Sequence, residues 1–454
     1  MRENKKTIVG KINPDVLSFT VGFDPILDLS LAVWDCLGTA AHVTMLSKMR
    51  VKPAILSTAD KDKVILALNE IIAEVKQGKF TITESDQDVH LAVERRLTER
   101  LGDLGRKVHT GRSRNDQVAV DIRLHVRDEL LSMTGEVVSL AEELVTFGKR
   151  HEKVPMVGRT HLQPAMPSSV GVWATGYGEA FLDDLIMVDA AYTFNDRCPL
   201  GSAAGYGVPL PLDRELTAKL LGFSEPHHNV FHASNMRGKN EAILLSACGQ
   251  LMLTLSRIAE DVILFSMPEF GYFVLPPDLC TGSSIMPQKY NPDVLELIRA
   301  KTAVVLGLGS AANNLLKSMP GGYNRDLQES KALYMEGLRV TRTSLRIMAL
   351  LVKSLEVNAD RLRAAFTPGV FATDTALELV AGGMPFRDAY QQVRSNLDAL
   401  ATADPDKAIA KKTHLGSTAG LDFNLYRARI RHARQWMNMH IKKSATTFKK
   451  LMGR

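Results

Sequence analysis

The chain has 454 residues, a formal net charge of +6, 45% hydrophobic and 23% charged residues, ordinary values for a soluble globular protein. That length allows two or three domains, or one elongated core with smaller attachments. The positive charge is diffuse and only the C-terminal "HIKKSATTFKKLMGR" is locally basic, so an acidic small molecule suits it better than nucleic acid, and no nucleic-acid partner is expected.

From the N-terminus, "MRENKKTIVGKINPD" lacks the apolar core of a secretory signal. Helical patterns follow at 26–49 and 60–77, broken by "TITESDQD". Long proline-free runs then occupy 116–153, 168–198, 232–266, 293–319 and 325–365, and proline is strongly disfavoured inside helices. In the first of these, Val118, Ile122, Val126, Leu130, Val137, Leu140 and Leu144 fall on one helical face. The third contains "LLSACGQLMLTLSRIAEDVILFSM", apolar nearly all round, as suits a helix enclosed by others. Helices of this length reach roughly 45 Å and need partners to bury against. The longest candidate for a membrane span, 302–316, carries Asn313 and Asn314 between Lys301 and Lys317, so none is expected. After the break "FTPGVFATD" (366–374) the pattern predicts shorter helices. Alternating strand patterns are scarce and no repeat of 20–50 residues is evident. The expectation is an all-α chain: an N-terminal helical domain (1–112), a central long-helix bundle (113–365) and a C-terminal helical domain (366–454). Cys36, Cys198, Cys248 and Cys280 form no CxxC pair, which predicts reduced thiols and a cytoplasmic location.

Three polar islands interrupt these helices. "HTGRSRNDQ" (109–117) precedes the first long helix, where Asn115 or Asp116 could cap it and exposed N–H groups with Arg112 and Arg114 would attract an anion. The alternative is a capping loop with solvated arginines. "GRTHLQPAMP" (158–167) places His161 between Thr160 and Gln163 in a proline-stiffened loop, either a functional histidine or a structural one. "TGSSIMPQKYNPD" (281–293) combines Ser283, Ser284, Lys289 and Asn291, donors suited to a developing oxyanion. Pro292 fits the start of the next helix, and Glu296 one turn on could orient a histidine from another segment. His227, His228 and His232 lack acid or cysteine ligands at a recognised spacing, and no metal is expected. No phosphate-loop, GxSxG or HExxH pattern occurs.

"GSSIMPQKYNP" resembles the signature loop of the fumarase/aspartase superfamily, whose members eliminate fumarate from succinyl compounds. "HTGRSRNDQ" resembles the argininosuccinate lyase version of the superfamily's first shared region, and "GRTHLQPAMP" resembles the second. "GGYNRDLQESK" (321–331) and "ATDTALELVAGGMPFRDAY" (372–390) resemble stretches further on, so the likeness runs from about Phe19 to Tyr390. It implies a helical homotetramer with active sites shared between subunits, cleaving argininosuccinate to arginine and fumarate without a cofactor. By resemblance, Ser283 falls at the base, His161 at the residue assigned to proton transfer, Glu296 at its partner, and Lys289 in the charged loop. Thr20, Asn115, Thr160, Asn291, Tyr323, Gln328 and Lys331 fall at substrate-contacting positions. Tyr290 stands where the family commonly has a second basic residue, Thr20 replaces a more usual serine, and "ASNMRGKNE" (233–241) departs from the common version, so Arg237 is not carried over as a ligand. Alternatives are a sister fumarate-releasing lyase and a Ser–Lys amidohydrolase using Ser283 and Lys289.

The islands also carry a geometric expectation. Along one helix of about 35 residues the ends stand some 50 Å apart, so 109–117 and 158–167 cannot meet within one subunit if that helix is unbroken.

Overall fold

The computed structural model describes residues 6, 7, 10–401 and 403–453; part of the N-terminal stretch read above for a secretory core lies outside them. The first long run folds as one helix, Arg114–Arg150, of 37 residues, about 55 Å at 1.5 Å per residue. Every residue of its expected apolar face, from Val118 to Leu144, is buried. The cap is Ser113 rather than Asn115 or Asp116: its hydroxyl accepts from Asn115 N at 3.2 Å. Asp116 closes the capping box by accepting from Ser113 N at 3.0 Å, and its other oxygen accepts from Gly201 N and Ala203 N, both at 2.9 Å. One carboxylate therefore pins the loop after residue 199 onto the helix start.

The chain then runs up and down. Val170–Asn195, Lys239–Ser266, Asp293–Leu316 and Ser330–Ser354 succeed one another, each long helix packed against neighbours in the bundle. Consequently residues 196–238 and 317–329 join Arg114 at one end, called upper here, and residues 151–169 and 267–292 lie at the lower end. The run 232–266 divides at Gly238, φ 77°, because its backbone passes Leu327 and Leu316, whose side-chain atoms lie 2.8 and 2.9 Å from where a Cβ would stand. The run 325–365 likewise divides into a 3-10 turn, Arg325–Glu329, then Ser330–Ser354 and Ala359–Ala364.

Among the described residues, two stretches are long and apolar enough to cross a membrane, Asp24–Lys48 and Lys239–Ser266, with 78% and 61% of the relevant window buried inside the molecule. They are core helices. The expectation of only shorter helices after 366 fails at Phe423–Leu451, 29 residues long. Its sparse apolar positions, Phe423, Tyr426, Ile430 and Leu451, are buried in the main core, and Trp436 meets Tyr192 edge-on at 5.0 Å. Between these, residues 366–408 keep small clusters of their own: Phe366, Val370, Phe371 and Ala408 against Val157, and Ala376 with Ala389 and Val393. The main core, by contrast, runs without a gap from Leu31 through the N-terminal helices into the bundle.

Paired strands are few among the described residues. The longest pair, Pro155–Thr160 with Gln163–Ser169, forms a hairpin at the lower end with His161 and Leu162 as its two loop residues, φ 53° and 62°. Two left-handed residues in succession are what a tight hairpin turn demands, and they are unusual without glycine or asparagine.

Candidate active site

At the upper end, the first turn of Arg114–Arg150 meets the Val21–Asp28 segment and residues 323–331 around a cleft of about 120 Å³. Asn115, Tyr323, Gln328 and Lys331 line it together with Asp24, Asp28, Asp88, Arg114, Arg237 and Arg325. Lys331 is nearly inaccessible, and its ammonium reaches Asp24 at 2.8 Å and Asp28 at 2.6 Å. Burial raises the Asp24 carboxyl above its ordinary range, with Lys331 pulling the other way. Arg114 pairs with Asp88 at 3.0 Å. Thr20 also belongs to this end, but through its backbone: its carbonyl accepts from Arg325 at 2.6 Å and Gln328 at 3.1 Å. Its hydroxyl donates to Val16 O at 2.8 Å within its own helix. The Thr20 hydroxyl expected at a substrate is thus already engaged.

Behind the cleft lies the one group of acidic and histidine side chains with metal-ligand spacing among the described residues, Asp35, His90 and Asp121. His90 Nδ1 sits 2.7 Å from Asp35 and 3.5 Å from Asp121. Burial works against charge on Asp35, but His90 and Arg112 outweigh it and hold the carboxyl low. Asp121 is driven well above the usual range by burial and by Asp35 and Asp28. The shifts favour charge on Asp35 and His90 and disfavour it on Asp121, so the cluster tends toward internal balance, and Arg112 adds a cation unfavourable to a metal. Of the three histidines near residue 230, His227 is buried with its pKa pushed down to about 3, first by desolvation, and its ring packs edge-on to His232 at 5.2 Å.

The lower end gathers the other expected residues. Thr160 and His161 are exposed at the hairpin tip. Arg159 locks that tip by donating to Leu162 O at 3.0 Å, and its guanidinium lies over the Phe270 ring at 4.9 Å. That contact brings the hairpin onto the segment leading to Ser283. The 281–293 stretch is itself a small closed loop: Thr281–Gly282 pairs antiparallel with Tyr290–Asn291, Thr281 donates to Asp293, and Asn291 Nδ2 reaches Thr281 Oγ1 and Gly282 O at 3.4 Å. Asn291 spends its donors in closing the loop. Ser283 Oγ accepts from Ile285 N at 3.3 Å and Met286 N at 3.1 Å, donors that favour negative charge on that oxygen. Lys289 is exposed in the same loop. Pro292 is the residue just before Asp293–Leu316, and Glu296, exposed on the first turns, makes no hydrogen bond or ion pair with His161 among the described residues.

The expected site therefore divides in two. Thr20, Asn115, Tyr323, Gln328 and Lys331 share the upper cleft; Thr160, His161, Ser283, Lys289, Asn291 and Glu296 stand at the lower end. Sequence reasoning missed Asp24 and Asp28 as the holders of Lys331, and set Arg237 aside although it lines the cleft. The signal for the first was a pair of acids four residues apart on a helical segment; for the second, sequence offered only its place after a polar run.

A family profile described as Lyase matches residues 34–307. In solved structures the fold is similar to that of EDDS lyase in complex with formate (TM-score 0.81, 23% identity, 97% of this chain and 94% of that one). It is also similar to recombinant class II fumarase from Schistosoma mansoni (TM-score 0.70, 18% identity, 88% and 98%). These likenesses concern the fold alone, and with the profile they define a lyase of the fumarase/aspartase superfamily. Within it, the chain is 41% identical over 426 residues to argininosuccinate lyase of Sorangium cellulosum (strain So ce56), covering 94% of this chain and 98% of that protein. It is 42% identical over 382 residues to argininosuccinate lyase of Thermotoga neapolitana, covering 84% and 95%. The chain belongs to the argininosuccinate lyase family of carbon–nitrogen lyases.

Proposed function

We propose that the protein cleaves argininosuccinate to arginine and fumarate, with each active site completed by residues of neighbouring copies in a homotetramer. The observation that carries this reading is the closed 281–293 loop, which aims the Ile285 and Met286 N–H groups at Ser283 Oγ and carries an exposed Lys289.

In this mechanism Ser283 removes the proton from the carbon beside the succinyl carboxylate. Serine is a poor base at neutral pH, and the two N–H groups with Lys289 supply the stabilisation its alkoxide needs. The electron pair left behind doubles the charge on the carboxylate, an aci-carboxylate that Lys289 and the loop face. Collapse of that intermediate forms the fumarate double bond and breaks the C–N bond. The departing guanidinium nitrogen takes a proton, for which His161 is the candidate donor. Asn115, Thr160, Tyr323, Gln328 and Lys331 hold the remainder of the substrate, with Asn291 keeping the loop closed. Glu296 then orients a histidine from a neighbouring copy rather than His161 of its own chain.

The direct test is to incubate the purified protein separately with argininosuccinate, with fumarate plus ammonia, and with adenylosuccinate, following fumarate by its ultraviolet absorbance. Turnover of argininosuccinate alone is expected. Turnover of either other substrate in its place would assign a sister lyase, and stoichiometric labelling of Ser283 by an acylating inhibitor would point to an amidohydrolase.

A further inference from the structure

The Thr160–His161 tip stands at the end of a hairpin that the C-terminal segment grips at one rung. Val157 and Pro167 are partners across its strands. Val157 is buried in a small core with Phe366, Val370, Phe371 and Ala408. Pro167 presents its carbonyl to Lys412, whose ammonium donates to it at 2.8 Å and reaches Asp374 at 3.3 Å. The Lys412 and Asp374 side chains are only 19% and 20% exposed. Such a charge-assisted bond is roughly twice as strong as a neutral one. Removing the ammonium would strand the carbonyl of Pro167, a buried residue.

Beyond that rung the hairpin is less well supported. Its register shifts between Gly158 and Arg159, and an irregularity of this kind bends a strand. Gly158, Arg159 and Thr160 border a cavity of about 790 Å³, walled on its far side by Leu377, Ala381 and Lys411. One side of the tip therefore has open space where packing would otherwise hold it. From Val157 to His161 is about 13 Å at 3.3 Å per residue. A tilt of roughly 5° at the gripped rung would carry the imidazole about 1 Å, and misplacement on that scale costs an enzyme on the order of 100-fold in rate.

We propose that Lys412 is a positioning residue for His161: by tying the hairpin to Asp374 it lets residues 366–418 set where the imidazole stands in an active site completed by a neighbouring copy. This rests on the argininosuccinate reading and adds to it the part played by the C-terminal segment.

The test is steady-state kinetics on argininosuccinate with the full-length protein. Lys412→Met should lower kcat at least tenfold while KM, to which Thr160 brings one contact among several, rises less than threefold. Lys412→Arg should restore most of the loss. Lys411→Met, whose lysine pairs with Glu378 instead, should leave kcat unchanged. Asp374→Asn keeps the ammonium but removes its anchor; it should lower kcat at least threefold, and it gives the same reading if Lys412→Met does not fold by circular dichroism. Folded variants with kcat within twofold of wild type overturn the proposal, and so does an equal loss in Lys411→Met or a loss that arginine does not restore. Refolding in mixtures then places the lesion. Lys412→Met should regain activity with Asn115→Leu, whose chains supply sound hairpins, and none with His161→Asn, where both lesions fall on the hairpin; rescue by His161→Asn would contradict a role through that histidine. Failure of wild type to cleave argininosuccinate would instead bring down the functional reading, so the two failures are told apart.

Discussion

Asp116 is buried at the first turn of the Arg114–Arg150 helix, where its carboxylate accepts three backbone N–H bonds. Desolvation nevertheless raises its pKa from 3.8 to about 6. The unfolded chain therefore ionises first as pH rises, and the folded state is penalised between the two values. The stabilising contribution of this residue is complete below about pH 4 and is lost as pH rises through about 6, roughly 3 kcal/mol in all. Urea unfolding at fixed protein concentration should show wild type losing stability relative to Asp116→Asn across that window; a pH-independent difference would contradict it. At Ser283 the hydroxyl contributes little packing, so Ser283→Ala should abolish turnover with unchanged melting temperature, and near-native kcat would remove it as the base. Lys289→Met should cost at least about 2–3 kcal/mol of transition-state stabilisation, read as kcat/KM; a value within twofold of wild type would exclude that role. Residue types at these positions were legible because loop chemistry is local. The capture of the Thr20 carbonyl by Arg325 and Gln328 and the hold of Asp24 and Asp28 on Lys331 were not, since these contacts join segments some 300 residues apart, as Lys331 to Asp28 does.

Helices were the most legible elements, because proline placement and apolar periodicity act within a single turn or two. The boundaries that were missed were set by tertiary contact: Gly238 breaks a run where two leucines press on the backbone. Phe423–Leu451 was missed because it buries few of its residues and so carries little apolar periodicity. The His161 hairpin was invisible as a hairpin, for "HL" is not a sequence that favours two left-handed residues. What fixes the hairpin is the crossing at its base. A Cβ on Gly171 would stand 2.7 Å from Glu152 Cα, and one on Gly148 2.9 Å from Thr175 Cγ2. Gly171→Ala should therefore push the two helices apart at a cost of about 1–3 kcal/mol, lowering both the melting temperature and kcat as the hairpin shifts. A variant as stable and as active as wild type would show that the crossing has slack.

At the scale of the molecule, the single unbroken helix Arg114–Arg150 decides the argument, since its length of about 55 Å separates Asn115 from the lower end, where the His161 hairpin lies. The sequence predicted that separation from helix length alone. How copies pack to close it was beyond a single sequence, which carries no record of which exposed faces meet. Residues such as Ile186 and Leu297, 67% and 55% exposed on long helices, are available for such packing. If neighbouring copies run antiparallel, one chain's upper cleft lies beside another's Ser283 loop and His161 hairpin. The central claim is that no chain completes an active site alone, and complementation tests it most directly. Asn115→Leu and His161→Asn, each inactive by itself, are mixed, denatured, refolded together and assayed with argininosuccinate. Random assembly should create some sites free of both lesions and recover a fraction of wild-type activity. Co-refolded mixtures as inactive as either parent, under conditions where wild type refolds well, would contradict the shared site.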